Sequence, residues 1–471
     1  MNKYEMVING EVLNSKTYKE VKNPASTTST VGLAPVASSI NLHQAVQSAH
    51  NAFQQWNPSE DSARVAACHD IATVISNNAE ELAQLITAEQ GKPLNGFGSR
   101  FEVNGCVQWA KHMASTSIES KVLEDSADSF IEQRRTGMGV VASITPWNWP
   151  LLLGVAHILP AIRTGNTVVI KPSPYTPLST LRLVQLMNDV LPKGVVNVLS
   201  GGDDLGAELT KHELIKKIVF TGSVATGKKV MASASAKITP ITLELGGNDA
   251  GIVLPGSDIS SFIERLFWGA MMNSGQTCAA LKRLYVHEKD YGNVCNALVD
   301  LCLRNPVGDG QLETSTLGPL QNQVQYEKVI SLVDDAHAEG ANILCGGKAL
   351  NGENYFYPPT IVAEAVPGMR IVDEEQFGPA LPVIRYQNLE DVIAEANNTE
   401  FGLCASVWGQ EESLLREVAN KLEAGTVYIN KHSDIAPHVP LGGIKSSGLG
   451  VCFGQEGLDS YTAIKIFNSA R

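Results

Sequence analysis

Positive charge is in short supply in this chain: 36 Lys and Arg stand against 49 Asp and Glu, a net charge of −13. That balance excludes nucleic-acid backbones and anionic membranes as main partners, although a local basic patch can still hold one anionic ligand. Cysteine is sparse and scattered, at positions 68, 106, 278, 295, 302, 345, 404 and 452, and never forms a CxxC pair. Neither a zinc knuckle nor a thioredoxin-like motif is present, and no metal site is expected. A disulfide scaffold is not expected at this density, so a reducing cytoplasmic setting is. No long apolar run follows Met1-Asn2-Lys3-Tyr4-Glu5-Met6, so no secretory leader is expected. One stretch, residues 137–162, lacks Asp, Glu, Lys and Arg and is long enough to cross a bilayer. Pro146, Pro150 and Pro160 interrupt it, and Asn148 and His157 would sit unpaired in lipid. It reads instead as a buried strand, loop and helix.

What the chain does have is apolar residues, 44% against 18% charged, the balance of a well-packed globular protein rather than a disordered one. A length of 471 residues calls for roughly three domains or lobes. Residues 7–12 predict a hairpin turning on Asn9-Gly10. Helical spacing follows over 41–56 and again over 59–89. After Thr136, short apolar strands at 139–144, 167–170, 195–199 and 217–220 alternate with helix-length segments, the pattern of a parallel, doubly wound sheet. A second α/β run is expected from near Leu243, through 252–254, 284–287 and 427–430. The polar run 26–30 is too short for a domain linker. Two α/β lobes with a cleft between them is the architecture this predicts.

Residues 220–229, Phe-Thr-Gly-Ser-Val-Ala-Thr-Gly-Lys-Lys, follow an apolar strand and open a helix. Glycines there let backbone approach a phosphate, and a helix N-terminus attracts its charge. The run is not GxGxxG, and Lys229 stands where a triphosphate loop needs a hydroxyl, which speaks against an ATPase. A plain strand-to-helix turn is the other reading. Cys278, within Gly275-Gln276-Thr277-Cys278-Ala279-Ala280, lies among small residues where a substrate could reach it, though most free cysteines are buried and inert. Glu244, in 242–248 (Thr-Leu-Glu-Leu-Gly-Gly-Asn), is flanked by leucines that predict burial and a raised pKa suited to a base; a solvated surface carboxylate is the plainer reading. Asn148, in the rigid turn 145–150 (Thr-Pro-Trp-Asn-Trp-Pro), can donate to a developing oxyanion or merely bond its own backbone in a tryptophan-rich corner.

Taken together, TPWNWP (145–150), GNTVVIKPS (165–173), FTGSVATG (220–227), LELGGN (243–248), GQTC (275–278), EEQFGP (374–379) and PLGGIKSSGLG (440–450) make the chain resemble the aldehyde dehydrogenase superfamily from end to end. The resemblance implies a Rossmann-like nucleotide-binding domain (1–117 and 138–245), an α/β catalytic domain (246–442) and a small β oligomerisation arm (118–137 and 443–471). It implies NAD or NADP as cofactor, a small-molecule aldehyde as substrate, and a homodimer or homotetramer, because such an arm leaves an exposed edge that another subunit can extend. By motif match Cys278 is the nucleophile that forms a thiohemiacetal and then a thioester, Glu244 the base, and Asn148 with the Cys278 N–H the oxyanion hole. Lys171 matches the residue that contacts the adenosine ribose or its phosphate. Ser223 with Gly222 and Gly227 matches the pyrophosphate loop, Glu375 the ribose ligand and Phe377 the support of the nicotinamide ring. Trp147 would line the cofactor cleft, and Thr145 and Ser173 belong to the same set.

The chain also departs from the family pattern. Many members carry a glutamate where this chain has Pro174; a carboxylate there repels a 2′-phosphate, so its absence predicts dual use of NAD and NADP. By alignment Trp149, Leu153, Ala156, Ile435 and Leu441 wall the substrate mouth where several relatives place further aromatics. That predicts a roomy apolar pocket for medium or aromatic aldehydes. No arginine falls within 149–157, which disfavours a semialdehyde-specific enzyme. Residues 450–454 lack the Arg-Glu pair common after this glycine, leaving subunit contacts near the C-terminus open. The rival functions are a CoA-acylating dehydrogenase, against which Glu244 weighs, a non-catalytic binder on the same fold, and a cysteine hydrolase, for which no dedicated Cys–His pair is required here.

Overall fold

The computed structural model describes residues 2–471 and contains two large sheets. The first has eight strands in the order Gly448–Leu449, Ile241–Glu244, Ile215–Thr221, Val140–Ile144, Thr167–Lys171, Val196–Val198, Met6–Ile8, Glu11–Leu13. Its five central strands run parallel, and antiparallel partners close both edges. Val140, Val141, Ala142, Val168, Val169 and Ile170 are all fully buried, as strands covered by helices on both faces must be. The chain winds outward in both directions from Val140–Ile144. The gap between it and Ile215–Thr221 is therefore the topological switch point, and ligands in open α/β sheets bind outside the carboxyl ends of the strands there. The turn 145–149 and the loop at Gly222-Ser223 emerge at that place.

The second sheet has seven strands, Asn342–Cys345, Thr360–Ala363, Ala380–Tyr386, Leu281–His287, Asp249–Val253, Cys404–Trp408 and Thr426–Ile429 in spatial order, all parallel except the first. Lys121–Asp125, Ser129–Gly137 and Thr462–Ala470 form a separate antiparallel three-stranded sheet. The expected hairpin is present, with Asn9 and Gly10 both at positive φ (55° and 75°), as a tight two-residue turn requires. The uncharged stretch 137–162 is indeed a strand, a loop and the helix Pro150–Arg163. Among the described residues no helix is long and apolar enough to cross a membrane.

Three expectations need correction. The helix expected over 59–89 is two, Asp61–Asn77 and Ala79–Gln90, because Asn78 turns its side-chain amide onto the carbonyl of Val74 (2.8 Å) and leaves helical geometry, the competition that short polar side chains offer a helix. The strand around Leu243 does not open the second sheet. It pairs with Ile215–Thr221 in the first, and the second begins at Asp249. Residues 26–30, read only as too short for a domain linker, lie inside the strand Ser26–Pro35, paired with Tyr18–Asn23, where β-branched threonines suit a half-exposed hairpin. Gly448–Leu449, placed in the arm by sequence, pairs with Ile241–Glu244 in the first sheet; only a two-residue strand is involved, too short to show alternation.

Candidate active site

The two sheets are joined by a glycine crossover. Glu244 is the last residue of its strand, and Asp249 starts the next sheet five residues later. Between them, a Cβ on Gly247 would come within 2.8 Å of the carbonyl oxygen of Cys278, so only a glycine lets the crossover pass this close to the thiol-bearing turn. Cys278 itself comes just before the strand Leu281–His287. Asn273, Ser274 and Gly275 precede it with φ of 54°, 54° and 70°, a left-handed run that L-residues sustain only where packing enforces it. The side chain of Gln276 enforces it here: its amide donates to Asn273 O (3.0 Å) and Pro319 O (3.2 Å), and its oxygen accepts from Gln321 N (2.9 Å).

Cys278 and Glu244 line one cavity of about 830 Å³. Burial pushes the Cys278 thiol up to about 12; Lys282 opposes the shift, and Glu244, Glu375 and Asp249 add to it. Burial likewise pushes the Glu244 carboxyl up to about 8, against a hydrogen bond with Cys452. Its Oε1 has no hydrogen-bond partner among the described residues, an uncommon state for a buried oxygen. Deeper in the same wall His157 is held between Ser143 Oγ (3.0 Å) and Thr221 Oγ1 (3.1 Å). Burial and the nearby Lys217 lower it to about 3, so it is neutral.

Asn148 is buried beside the turn that carries Cys278: its side-chain amide donates to Gln276 O (2.9 Å), leaving one N–H, and its backbone carbonyl accepts from Lys92 Nζ (2.8 Å) and Asn273 Nδ2 (2.9 Å). Lys92 is in turn paired with Glu102 at 2.7 Å, both side chains 0% exposed. The lysine also sits 3.5 Å from the centre of the Trp149 ring, and Trp149 Nε1 donates to Thr277 Oγ1 at 3.0 Å. The motif residues thus rest on an ion pair that sequence reasoning missed.

On the other side of the cleft, Trp147 packs edge-on against Phe377 at 5.3 Å, and Phe377 is held at φ 51°. Glu375 accepts from the Gly247 N–H at 3.0 Å. Lys171 ends its strand nearly buried, with one long bond to Pro172 O (3.4 Å), and burial lowers it to about 8 against the pull of Asp203. Thr145 is buried with its hydroxyl unpartnered. Ser173 is buried and caps the N–H of Tyr175 at 3.3 Å. Ser223 caps the helix Val224–Ser235 through Thr226 N and, with Gly222, stays open to the cleft side. Gly227 is packed closely against Leu245, which a Cβ there would meet at 2.6 Å.

Of the substrate residues, Trp149, Leu153, Ile435 and Leu441 line the cavity. Ala156 does not; it is 5% exposed within the apolar core of the first lobe. Its methyl is too short to reach past Leu152, Leu153 and His157 of the same helix, which do line the cavity. Nor is the pocket poor in aromatics. Phe97, Phe101, Trp109, Trp268 and Phe453 face it from elements far apart in sequence, so no local motif could signal them. Arg265 and Lys431 stand at its rim, outside the 149–157 window.

The aldehyde dehydrogenase family model matches residues 12–467. The chain is 38% identical to a putative aldehyde dehydrogenase, FUS7, of Gibberella moniliformis, covering 98% of both chains. Among solved structures it superposes on the NAD+ complex of an aldehyde dehydrogenase from Bacillus cereus with a TM-score of 0.96 at 35% identity, covering 100% of this chain and 97% of that one. An NADP-dependent enzyme from E. coli gives 0.96 at 32% identity, covering 100% and 98%. This chain belongs to the aldehyde dehydrogenase family.

Proposed function

We propose that this protein oxidises bulky apolar or aromatic aldehydes to carboxylic acids with NAD or NADP, through a covalent intermediate on Cys278. The observation that carries the reading is a half-buried thiol and a buried carboxyl, that of Glu244, whose Oε1 has no partner among the described residues, lining one cavity. The Cys278 sulfur adds to the aldehyde carbon and its proton passes to a base. The carbonyl oxygen becomes an oxyanion that the second amide N–H of Asn148 and the Cys278 N–H can receive. Hydride loss turns the thiohemiacetal into a thioester. Glu244, once ionised, takes a proton from water as the water attacks the thioester carbon, which releases the acid and restores the thiol. Water as acceptor makes Glu244 necessary, which favours this over acyl transfer to CoA.

The cleft residues fit a dinucleotide: Lys171 has an ammonium short of acceptors, Thr145 an unpartnered hydroxyl, and Ser223 opens a helix N-terminus at the switch point. When bound, such a cofactor supplies the hydride acceptor. Glu375 and Phe377 would hold its nicotinamide ribose and ring, Trp147 would line its cleft, and Ser173 with Gly222 would complete the phosphate end. Pro174, in place of a carboxylate, supports dual use of NAD and NADP. The cavity's aromatic wall and volume within the usual range for small-molecule sites support the substrate class. Eight free cysteines fit a reducing, cytoplasmic setting. The domain reading follows the sheets: 1–117 and 138–245 for the nucleotide, 246–442 for catalysis, 118–137 and most of 443–471 for an arm joining subunits as a homodimer or homotetramer. A matrix of aldehydes against NAD and NADP, read by absorbance of the reduced nicotinamide, tests the proposal. Oxidation of benzaldehyde-type and medium-chain aldehydes without CoA is expected; activity that requires CoA, or is confined to succinic semialdehyde, would overturn it.

A further inference from the structure

Directly behind the nucleophile's turn lies a buried ammonium. Lys282, the second residue of the strand Leu281–His287, is 3% exposed. Its Nζ donates to Cys278 O at 2.5 Å and Ala280 O at 3.4 Å, and stands 3.5 Å from Glu375 Oε1. An ammonium has three donors and no acceptor; two of them go to the backbone oxygens of Cys278 and Ala280, and the Glu375 carboxylate stands beside it as an ion pair. The same Glu375 oxygen also takes the N–H of Gly247, the glycine that lies against the Cys278 carbonyl. One side chain therefore ties together the 278–281 turn, the glycine crossover and the segment carrying Glu375. A lysine buried this way differs from the usual solvated one, whose head stays in water.

The charges around the thiol are lopsided. Glu244, Glu375 and Asp249 all disfavour the thiolate, and Lys282 opposes them. Asp249 has His432 at 3.6 Å, and Cys404 lies close by, coupled to Asp249, Cys278 and Lys282. We propose that Lys282 is a positioning residue for the oxidation: it fixes the turn that presents Cys278, seats Glu375 against the crossover, and supplies the positive charge beside a thiol otherwise surrounded by acidic side chains. This rests on the reading of Cys278 as nucleophile.

Full-length Lys282→Gln and Lys282→Arg proteins test it, with iodoacetamide alkylation of Cys278 followed by peptide mass spectrometry from neutral to alkaline pH. Lys282→Gln is expected to move the alkylation profile upward by about one pH unit, slowing modification near neutrality about tenfold. It should also raise KM for the nicotinamide cofactor more than KM for the aldehyde. Lys282→Arg should restore the profile, which a purely structural role would not demand. An unchanged profile with unchanged KM values overturns the proposal. Glu375→Gln, at a partly exposed position, keeps the test open should Lys282→Gln fail to fold: removing that carboxylate is expected to move the profile downward, and no movement counts against the proposal. Cys278→Ala separates the two readings. If that variant still oxidises aldehydes, the nucleophile assignment falls. If it is inactive while Lys282→Gln behaves as wild type, only the role of Lys282 falls.

Discussion

Glu244 carries a carboxyl that burial raises to about 8, so it is protonated near neutrality and becomes a base as pH passes that value. The expected consequence is a kcat that rises through about pH 8, while Glu244→Gln loses that rise and falls by about 10²–10⁴-fold; a pH–rate profile for both proteins checks this. The same shift has a sign for stability. Folded Glu244 binds its proton more tightly than unfolded Glu244, so stability declines from the ordinary carboxylate range up to about 8. Above that range, thermal unfolding of Glu244→Gln is expected at a higher temperature than wild type. Lys171, lowered to about 8 by burial, is charged below that pH and neutral above it. Lys171→Met should therefore raise KM for NADP about tenfold or more but KM for NAD less, as two-cofactor steady-state kinetics would reveal, since a 2′-phosphate is the group that loses a charge partner. The burial of Glu244 was legible from the leucines beside it, while singling out Cys278 and Asn148 rested on the ordered family motifs around them. Lys282 and Lys92 were not legible, because a lysine in sequence reads as solvent-facing and its burial depends on partners far along the chain.

The element that most depends on a distant partner is the helix Pro150–Arg163. Its first backbone N–H groups, Leu151 and Leu152, donate to Glu102 Oε1 at 2.9 and 3.0 Å, so Glu102 satisfies donors that a helix start leaves open. Glu102 is also bound to Lys92, which holds the Asn148 carbonyl. Breaking a buried pair by removing one partner leaves an uncompensated charge and costs about 3–5 kcal/mol. Glu102→Leu should show that loss in denaturant titration, with a fall in kcat larger than the change in aldehyde KM because Asn148, the proposed oxyanion donor, moves. Strand positions in the first sheet were legible because fully buried parallel strands read as continuous apolar runs. The split at Asn78 was not, since alanine and isoleucine keep helical spacing across it. The cavity's aromatics were also hidden: Phe97 and Phe101 precede or open one helix, Trp268 sits on another, and Phe453 lies in a C-terminal loop.

At the scale of the whole molecule, the carboxyl end of one parallel sheet faces the amino end of the next, and the chemistry sits in the seam. The alternation of strands and helices predicted two lobes. It could not assign Ile241–Glu244, because a strand's sheet is decided by its partner and not by its own sequence. The three-stranded sheet leaves Val122, Leu123, Ile464 and Ile466 exposed, from 49% to 60%, on strands whose outer edges pair with nothing among the described residues. Such an edge invites a second copy. Light scattering on the wild type should give a dimer or tetramer, and Ile464→Glu with Ile466→Lys should shift it toward monomer; a wild type that is monomeric at micromolar concentration would remove the arm's proposed role. The thioester itself offers the most direct measurement. Glu244→Gln protein, mixed with an aromatic aldehyde and cofactor and then quenched in acid, should carry the acyl group on the peptide containing Cys278 by mass spectrometry. Absence of any adduct there, while Cys278→Ala still forms reduced nicotinamide, would contradict covalent oxidation at this thiol.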